Sequence, residues 1–363
     1  MDEISLATPI LAAVALLSFV GSYVALCVLR PVATWAKLMD EAGALKHHQG
    51  AVPLVGGLAI MTGYLLALTV HPIFFTANTA FLLASLLLVM MGALDDRFFL
   101  SPLLRLLVQV FVALIAIFGA GLVVQTIGAP FSANTIEMGW FQIPVTILAI
   151  VGGINAWNMI DGIDGLASML AFIALAFLLV IAGQSAPSLQ ASLLALMCGI
   201  GAFFLFNLPF STLRLSRTFL GDAGSMFLGL AIVWHALALS QGEAAVMSPI
   251  TALWFVALPL YDVVTTTLRR VLKGVSPLRG DREHLHFLLL SCGLSTRQAL
   301  MVLSVFALIG GTVGLISYIA GIPDVQVFTL FVLVGVLYFF GVRRLSAAAS
   351  SIEAATIIPP SDQ

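Results

Sequence analysis

Residues 77–105 read ANTAFLLASLLLVMMGALDDRFFLSPLLR. Positions 77–94 carry no charge, and then two carboxylates, Asp95 and Asp96, arrive side by side. An apolar run of that length spans bilayer hydrocarbon as a helix, at about 1.5 Å per residue. One carboxylate at the bilayer centre costs roughly 2.5–3.5 kcal/mol. The pair therefore marks where the chain leaves the lipid, beside Arg97 and Arg105, and the next apolar run begins at 103. The stretch implies membrane-crossing helices joined by short polar turns.

Working outward, the same pattern fills the chain. Of 363 residues, 61% are hydrophobic and 9% charged, with mean hydropathy +1.13. Soluble domains carry about 25% charged residues. So few charges cannot coat a globule, and lipid must be the solvent. The expected runs are 6–29, 51–70, 77–94, 103–124, 143–160, 165–183, 189–208, 219–239, 250–268, 299–320 and 325–342. The expected class is an all-α polytopic integral membrane protein with about eleven transmembrane helices. Residues 1–345 form one membrane domain. The Ser/Ala/Pro-rich tail 346–363 is expected to be disordered. Asp2 and Glu3 replace the basic start of a signal peptide, so the first run stays as a span. Cys27, Cys198 and Cys292 lack metal-ligand spacing and read as idle thiols. The net charge of −2 says little by itself, and no nucleic acid partner is expected. No internal repeat of the inverted-transporter kind is visible.

The basic residues orient this map. With the N-terminus outside, all 15 Lys and Arg fall in inside segments, from Arg30, Lys37 and Lys46 to Arg343 and Arg344. Cytoplasmic loops concentrate Lys and Arg. The N-terminus is thus expected in the periplasm and the C-terminus in the cytoplasm. His47, His48, His284 and His286 also fall inside, whereas His71 and His235 fall outside. The working site should face the cytoplasm.

Five polar clusters lie on that face. Asp95 and Asp96 point about 100° apart on a helix, so they can do two jobs or simply end a span. In GGINAWNMIDGIDGLA, Asn155, Asn158, Asp161 and Asp164 recur every third residue. On a helix they form one polar stripe suited to a hard cation or a uracil and ribose. The stripe could instead be a packing seam, and the Asp-Gly steps could break the helix into a turn. FLGDAGSMFLG places Asp222 where a span begins, as a metal ligand against phosphate or an ordinary N-cap. A helix start also offers N–H groups to an anion. RRVLKGVSPLRGDREHLHF brings Arg269, Arg270, Lys273, Arg279, Arg282, His284 and His286 together, as a pyrophosphate clamp or a loop on anionic lipid. LKHHQGAVPLVGG carries Lys46, His47, His48 and Gln49, as part of the site or as positive-inside flanking residues. Paired acids, a metal site and anion clamps in a greasy surround suit joining a phosphorylated soluble molecule to membrane lipid.

These motifs resemble the polyprenyl-phosphate N-acetylhexosamine-1-phosphate transferase family. HQGAVPLVGG, GALDDRF, NAWNMIDGIDGL, GDAGS, KGVSP, DREHLH and STRQA carry the likeness as an ordered set, from about His47 to Arg297. It is strongest to the branch that moves GlcNAc-1-phosphate onto undecaprenyl phosphate. The resemblance implies a multi-pass enzyme of the bacterial inner membrane, using Mg²⁺ or Mn²⁺. Its partners would be a UDP-N-acetyl sugar, undecaprenyl phosphate and membrane lipid, and a homodimer is open. It implies Asp222 and Asn158 as metal ligands, with Asp95 and Asp96 the alternative. Otherwise Asp95 and Asp96 meet the lipid phosphate, one of them activating its oxygen. Asp161 and Asp164 would serve catalysis beside the nucleotide. His284, with Arg270, Arg282 and His286, would hold the phosphates. Asn155, Arg105, Lys46 and His48 complete the implied substrate contacts.

Two departures stand out. Where the family often has Lys after the acid pair, this chain has Phe99, and Arg105 is the candidate substitute. The histidine cluster ends early, because Phe287 follows His286. The expected reaction is attack of a lipid-phosphate oxygen on the sugar-linked phosphorus, releasing UMP. GalNAc, FucNAc or QuiNAc are alternative sugars. A secondary transporter, the main rival, would put polar groups at mid-membrane and need an outside gate. The Asp-Gly…Ala-Arg run of CDP-alcohol phosphotransferases is not present, and a scaffold gives no reason for five polar clusters on one face.

Overall fold

The computed structural model describes residues 2–40, 50–70, 75–76, 78–183, 186–210, 217–243, 245–274 and 283–357. It is an all-α polytopic membrane protein, and each of the eleven apolar runs contains a helix. The helices are α1 (Asp2–Ala36), α2 (Gly56–Leu68), α3 (Thr79–Phe98), α4 (Pro102–Ala120), α5 (Gln142–Ile160), α6 (Leu166–Ala182) and α7 (Pro187–Asn207). There follow α8 (Gly221–Ser240), α9 (Pro249–Phe255), α10 (Ala257–Leu272), α11 (Leu285–Ser291), α12 (Thr296–Ile319) and α13 (Asp324–Ile357). Among the described residues eight, against about eleven expected, are long and apolar enough to cross a membrane, the α9–α10 pair makes a ninth candidate, and α2 and α6 are shorter apolar helices.

Three differences from the sequence expectation have physical causes. The run 250–268 is not one rod but α9 and α10, bent by 82° at Val256. Pro259 has no N–H for the Phe255 carbonyl, and its ring crowds that carbonyl. The run 51–70 shortens to α2 because Val52–Pro53 is extended and pairs antiparallel with Met39–Asp40. α13 runs past the expected span end, through Ser346 to Ile357. Its Ala-rich segment 347–355 favours helix.

α8 lies deepest, burying Met226, Phe227, Leu230, Ala231 and Trp234. α1 instead shows lipid Leu16, Val20, Val24 and Val28, spaced as one helix face. Lipid supplies no hydrophobic drive between helices, so close packing through small residues does the work. A Cβ on Gly57 would stand 2.2 Å from the Gly224 nitrogen, and one on Gly92 2.4 Å from the Ala223 Cα. These contacts bring α2 and α3 against the first turn of α8, fixing where Asp222 sits.

Candidate active site

The acids converge because the helices carrying them alternate in direction. α3 and α5 end, and α8 begins, at the same end of the bundle. At the close of α3, Phe99 adopts φ 52° as a left-handed cap. This turns the chain so that the Leu100 N–H donates to Asp95 Oδ1 at 2.7 Å. Arg105, one turn into α4, pairs with Asp95 Oδ2 at 3.0 Å. Asp95 is 4% exposed, whereas the Arg105 side chain is 32% exposed. Arg105 is thus held by Asp95 and remains about one-third exposed.

Asp96 is engaged within the protein. Its carboxylate accepts the Asp222 N–H at 2.9 Å and the Ala223 N–H at 3.4 Å. Asp96 therefore caps α8 from another helix, and these first-turn donors are not open to a ligand anion. Asp222 is not the N-cap, since Leu220 holds that position and offers no side-chain acceptor. The Asp222 carboxylate points inward instead. Its Oδ1 accepts from Asn158 Nδ2 at 2.8 Å, and Asn158 also donates to Ser225 Oγ at 3.0 Å. Its carboxyl also lies within hydrogen-bonding reach of Asp95.

The segment before α8 is gripped by the PLVGG segment, Phe219 bridging to Leu54. Phe219 N–H donates to the Pro53 carbonyl at 2.8 Å. Gly56 and Gly57 N–H groups donate to the Phe219 and Leu220 carbonyls, each at 3.0 Å. A motif that reads as flanking sequence is thus the clasp that aims GDAGS. Lys46, His47, His48 and Gln49 ahead of it lie outside the described residues, as do Arg279 and Arg282.

The single polar stripe from Asn155 to Asp164 does not form. α5 ends at Ile160, and Asp161 begins a turn with ψ 59°. The Asp-Gly steps deny the helix a continuation. Only Asn155 and Asn158 share a helical face. Asn155 is engaged in packing, with Nδ2 donating to Gln109 Oε1 at 2.6 Å and to the Val151 carbonyl at 2.8 Å. Asp161 is partly buried, and desolvation, with the negative charges of Asp222, Asp96 and Asp164, pushes its carboxyl well above the usual range. Asp164 pairs with Arg217. Both line a cavity of about 490 Å³ with Asn207, Ser295 and Arg297.

The histidine pair meets this turn from the other side. His284 and His286 stack with ring centres 5.8 Å apart and planes within 8°. A Cβ on Gly162 would fall 1.9 Å from His286 Nε2, so the ring lies directly on the Asp161–Gly162 turn. Among the described residues neither His286 ring nitrogen has a hydrogen-bond partner, and the residue is 1% exposed. Burial lowers its pKa from 6.5 to about 4, the charge of Asp262 opposing and that of His284 adding. Its proton is therefore bound in the unfolded chain but not the native one between pH 6.5 and 4, and stability falls with pH across that window. The loss should reach about 3 kcal/mol at the acid end, and His286→Gln should remove it in detergent unfolding curves. Arg270, 3% exposed, ends α10 nearby in sequence.

Arg269, already part of the basic cluster in the sequence, bonds Ser346 Oγ at 2.7 Å and the Glu283 carboxylate at 3.0 Å, at the base of the basic loop. Sequence reasoning missed three contributors, Gln109, Ser225 and Asp262. Gln109 and Ser225 have no signal beyond polarity within a span. Asp262 did have a signal, as a lone acid in an apolar run.

Among the described residues no three His, Cys, Asp or Glu side chains form a ready metal cage. Magnesium needs none, since it keeps waters and takes one or two carboxylates plus substrate phosphates. Asp222, with its Asn158 neighbour, fits that demand. The crowding of Asp95, Asp96, Asp161 and Asp222 would be relieved by a cation.

Comparison with known proteins shows the family. Residues 78–240 match the model of glycosyl transferase family 4. The chain is 36% identical to a Yersinia pestis undecaprenyl-phosphate alpha-N-acetylglucosaminyl 1-phosphate transferase over 339 residues, 92% of each chain. Proteins of the same name from Escherichia coli K12 and Pasteurella multocida share 33% and 35% identity, covering 89% and 92% of their lengths.

Proposed function

The chain belongs to glycosyl transferase family 4, and from that premise we propose that it transfers N-acetylglucosamine-1-phosphate from UDP-GlcNAc to undecaprenyl phosphate. The products are undecaprenyl-diphosphate-GlcNAc and UMP. The observation that carries this reading is the meeting of Asp95, Asp96, Asp161 and Asp222 with Arg105 at one end of a lipid-exposed bundle. The all-inside placement of Lys and Arg supports the cytoplasmic face of a bacterial inner membrane. The product would prime O-antigen or a related surface polysaccharide.

Each residue has a task in this reaction. Arg105, held by Asp95, presents its open face to the acceptor phosphate. A phosphate monoester is largely dianionic near pH 7, so its oxygen needs orientation more than deprotonation. That oxygen attacks the sugar-linked phosphorus, the P–O bond to UMP breaks, and the electron pair leaves with UMP. Asp222 and Asn158 would hold Mg²⁺, which, when bound, neutralises charge on the donor diphosphate. Asp96 keeps Asp222 in place by capping α8. Asp164, Arg217 and the cavity beside them suit the nucleotide, and the histidine pair the phosphates. Positioning and electrostatics supply most of the rate in such transfers.

The test uses purified protein in detergent with undecaprenyl phosphate, Mg²⁺ and UDP-GlcNAc labelled separately in the sugar and in the β-phosphate. Both labels should enter lipid as UMP is released, and chelation with EDTA should stop both. Entry of sugar without its phosphate would overturn the reading. If only another UDP-N-acetyl sugar donates both labels, the reaction class stands and GlcNAc is wrong.

A further inference from the structure

Asp262 lies within α10, 3% exposed, and belongs to none of the motifs above. Its Oδ2 receives His284 Nδ1 at 2.6 Å. Its Oδ1 accepts the Leu285 N–H and the Tyr338 hydroxyl, each at 3.0 Å. A carboxylate can only accept, so the ring must carry its proton on Nδ1. Nε2 is then the nitrogen left for a ligand. His284 is itself 4% exposed and stacks on His286, which rests on Gly162 beside Asp161. One carboxylate thus sets the proton position and ring plane of His284, against which His286 stacks at the border of the acid cluster.

We propose that Asp262 is the positioning residue of the transfer. It fixes the tautomer and orientation of His284, so that Nε2 is presented to the donor phosphates and His286 is held against the Asp161 turn. Tyr338 ties this orientation to α13. The inference deepens the sugar-phosphate transferase reading and rests on it. Partners that orient a working histidine commonly change activity 10- to 100-fold when altered. A residue that merely started α11, by accepting the Leu285 N–H, would have no such effect if replaced by an isosteric acceptor.

Asp262→Asn separates the two roles. Its amide oxygen can still accept from Leu285 and Tyr338, but its NH₂ faces His284 Nδ1 and demands the opposite tautomer. In ¹⁵N-histidine-labelled full-length protein, His284 should be protonated at Nδ1 in the wild type and at Nε2 in Asp262→Asn. The variant should unfold at an unchanged temperature, with kcat lowered roughly 10- to 100-fold and the KM for undecaprenyl phosphate unchanged. In a His284→Ala background Asp262→Asn should cost nothing further, because both act through one ring. Wild-type kcat in Asp262→Asn, or losses that multiply with those of His284→Ala, would overturn the proposal. If the wild type transfers neither label from any UDP-sugar, the functional reading falls instead. The ¹⁵N spectra still judge Asp262's hold on the ring in that case, and an unchanged tautomer in the variant refutes it.

Discussion

Asp222→Asn should lower kcat on the order of 10³-fold or more while leaving an inserted, folded protein. Asp222 receives the Asn158 amide at 2.8 Å and stands at the start of α8, where Asp96 fixes its backbone. An asparagine there loses the anionic oxygen that a divalent cation needs. Its amide, turned toward Asn158, would also set donor against donor. Stability should not follow activity. Asp222 sits among Asp95, Asp96 and Asp161, and like charges at close range oppose one another. Removing one should leave the detergent melting temperature level or slightly higher. Residues under mutual strain at a working site often behave in this way. The check pairs the β-phosphate label assay, across a range of Mg²⁺, with a thermal melt. Near-normal turnover would remove Asp222 from the mechanism.

Gly57→Val should fail differently, by losing the fold that positions the site. A Cβ at Gly57 would stand 2.2 Å from Gly224 N, 2.3 Å from Gly224 Cα and 2.7 Å from the Ala223 carbonyl carbon. All three are backbone atoms of α8, so no side chain can swing aside. α2 and α8 must part, and the hydrogen bonds from Gly56 and Gly57 to Phe219 and Leu220 part with them. Overpacking usually costs about 1–3 kcal/mol, and a backbone clash belongs at or above that upper end. Low yield of inserted protein is expected, with no transfer activity in what survives. Gly152→Ala is the matched control. It lies in α5 with nothing within 4 Å of the added Cβ, and alanine improves helix propensity by up to about 1 kcal/mol. Equal behaviour of the two variants would show that the α2–α8 approach does not hold the site together.

Much of the architecture was legible because lipid imposes a simple rule. Backbone polar groups in hydrocarbon must be satisfied within the segment, so a long apolar run has few options other than a helix. Each of the eleven runs contains a helix for that reason. The polar clusters were legible too, because a carboxylate or amide among apolar residues is costly and invites explanation. The bend at Val256 had its sign in Pro259, and the turn at Asp161 in its Asp-Gly step.

By itself, then, the sequence determined the membrane class, the orientation expected from Lys and Arg, and the membership of Asp95, Asp96, Asn158, Asp161, Asp164 and Asp222 in one polar end. Tertiary structure alone decided how those residues divide their work. Asp96 caps a helix 126 positions away, Asp95 turns to Arg105, Asn155 is absorbed in packing, and Asp262 emerges as the partner of His284. The physical reason is that local sequence fixes the backbone's choices and the cost of each polar group. Which donor meets which acceptor depends on how closely the helices approach, and here that distance is set by glycines on α2, α3 and α8 that carry no chemistry of their own.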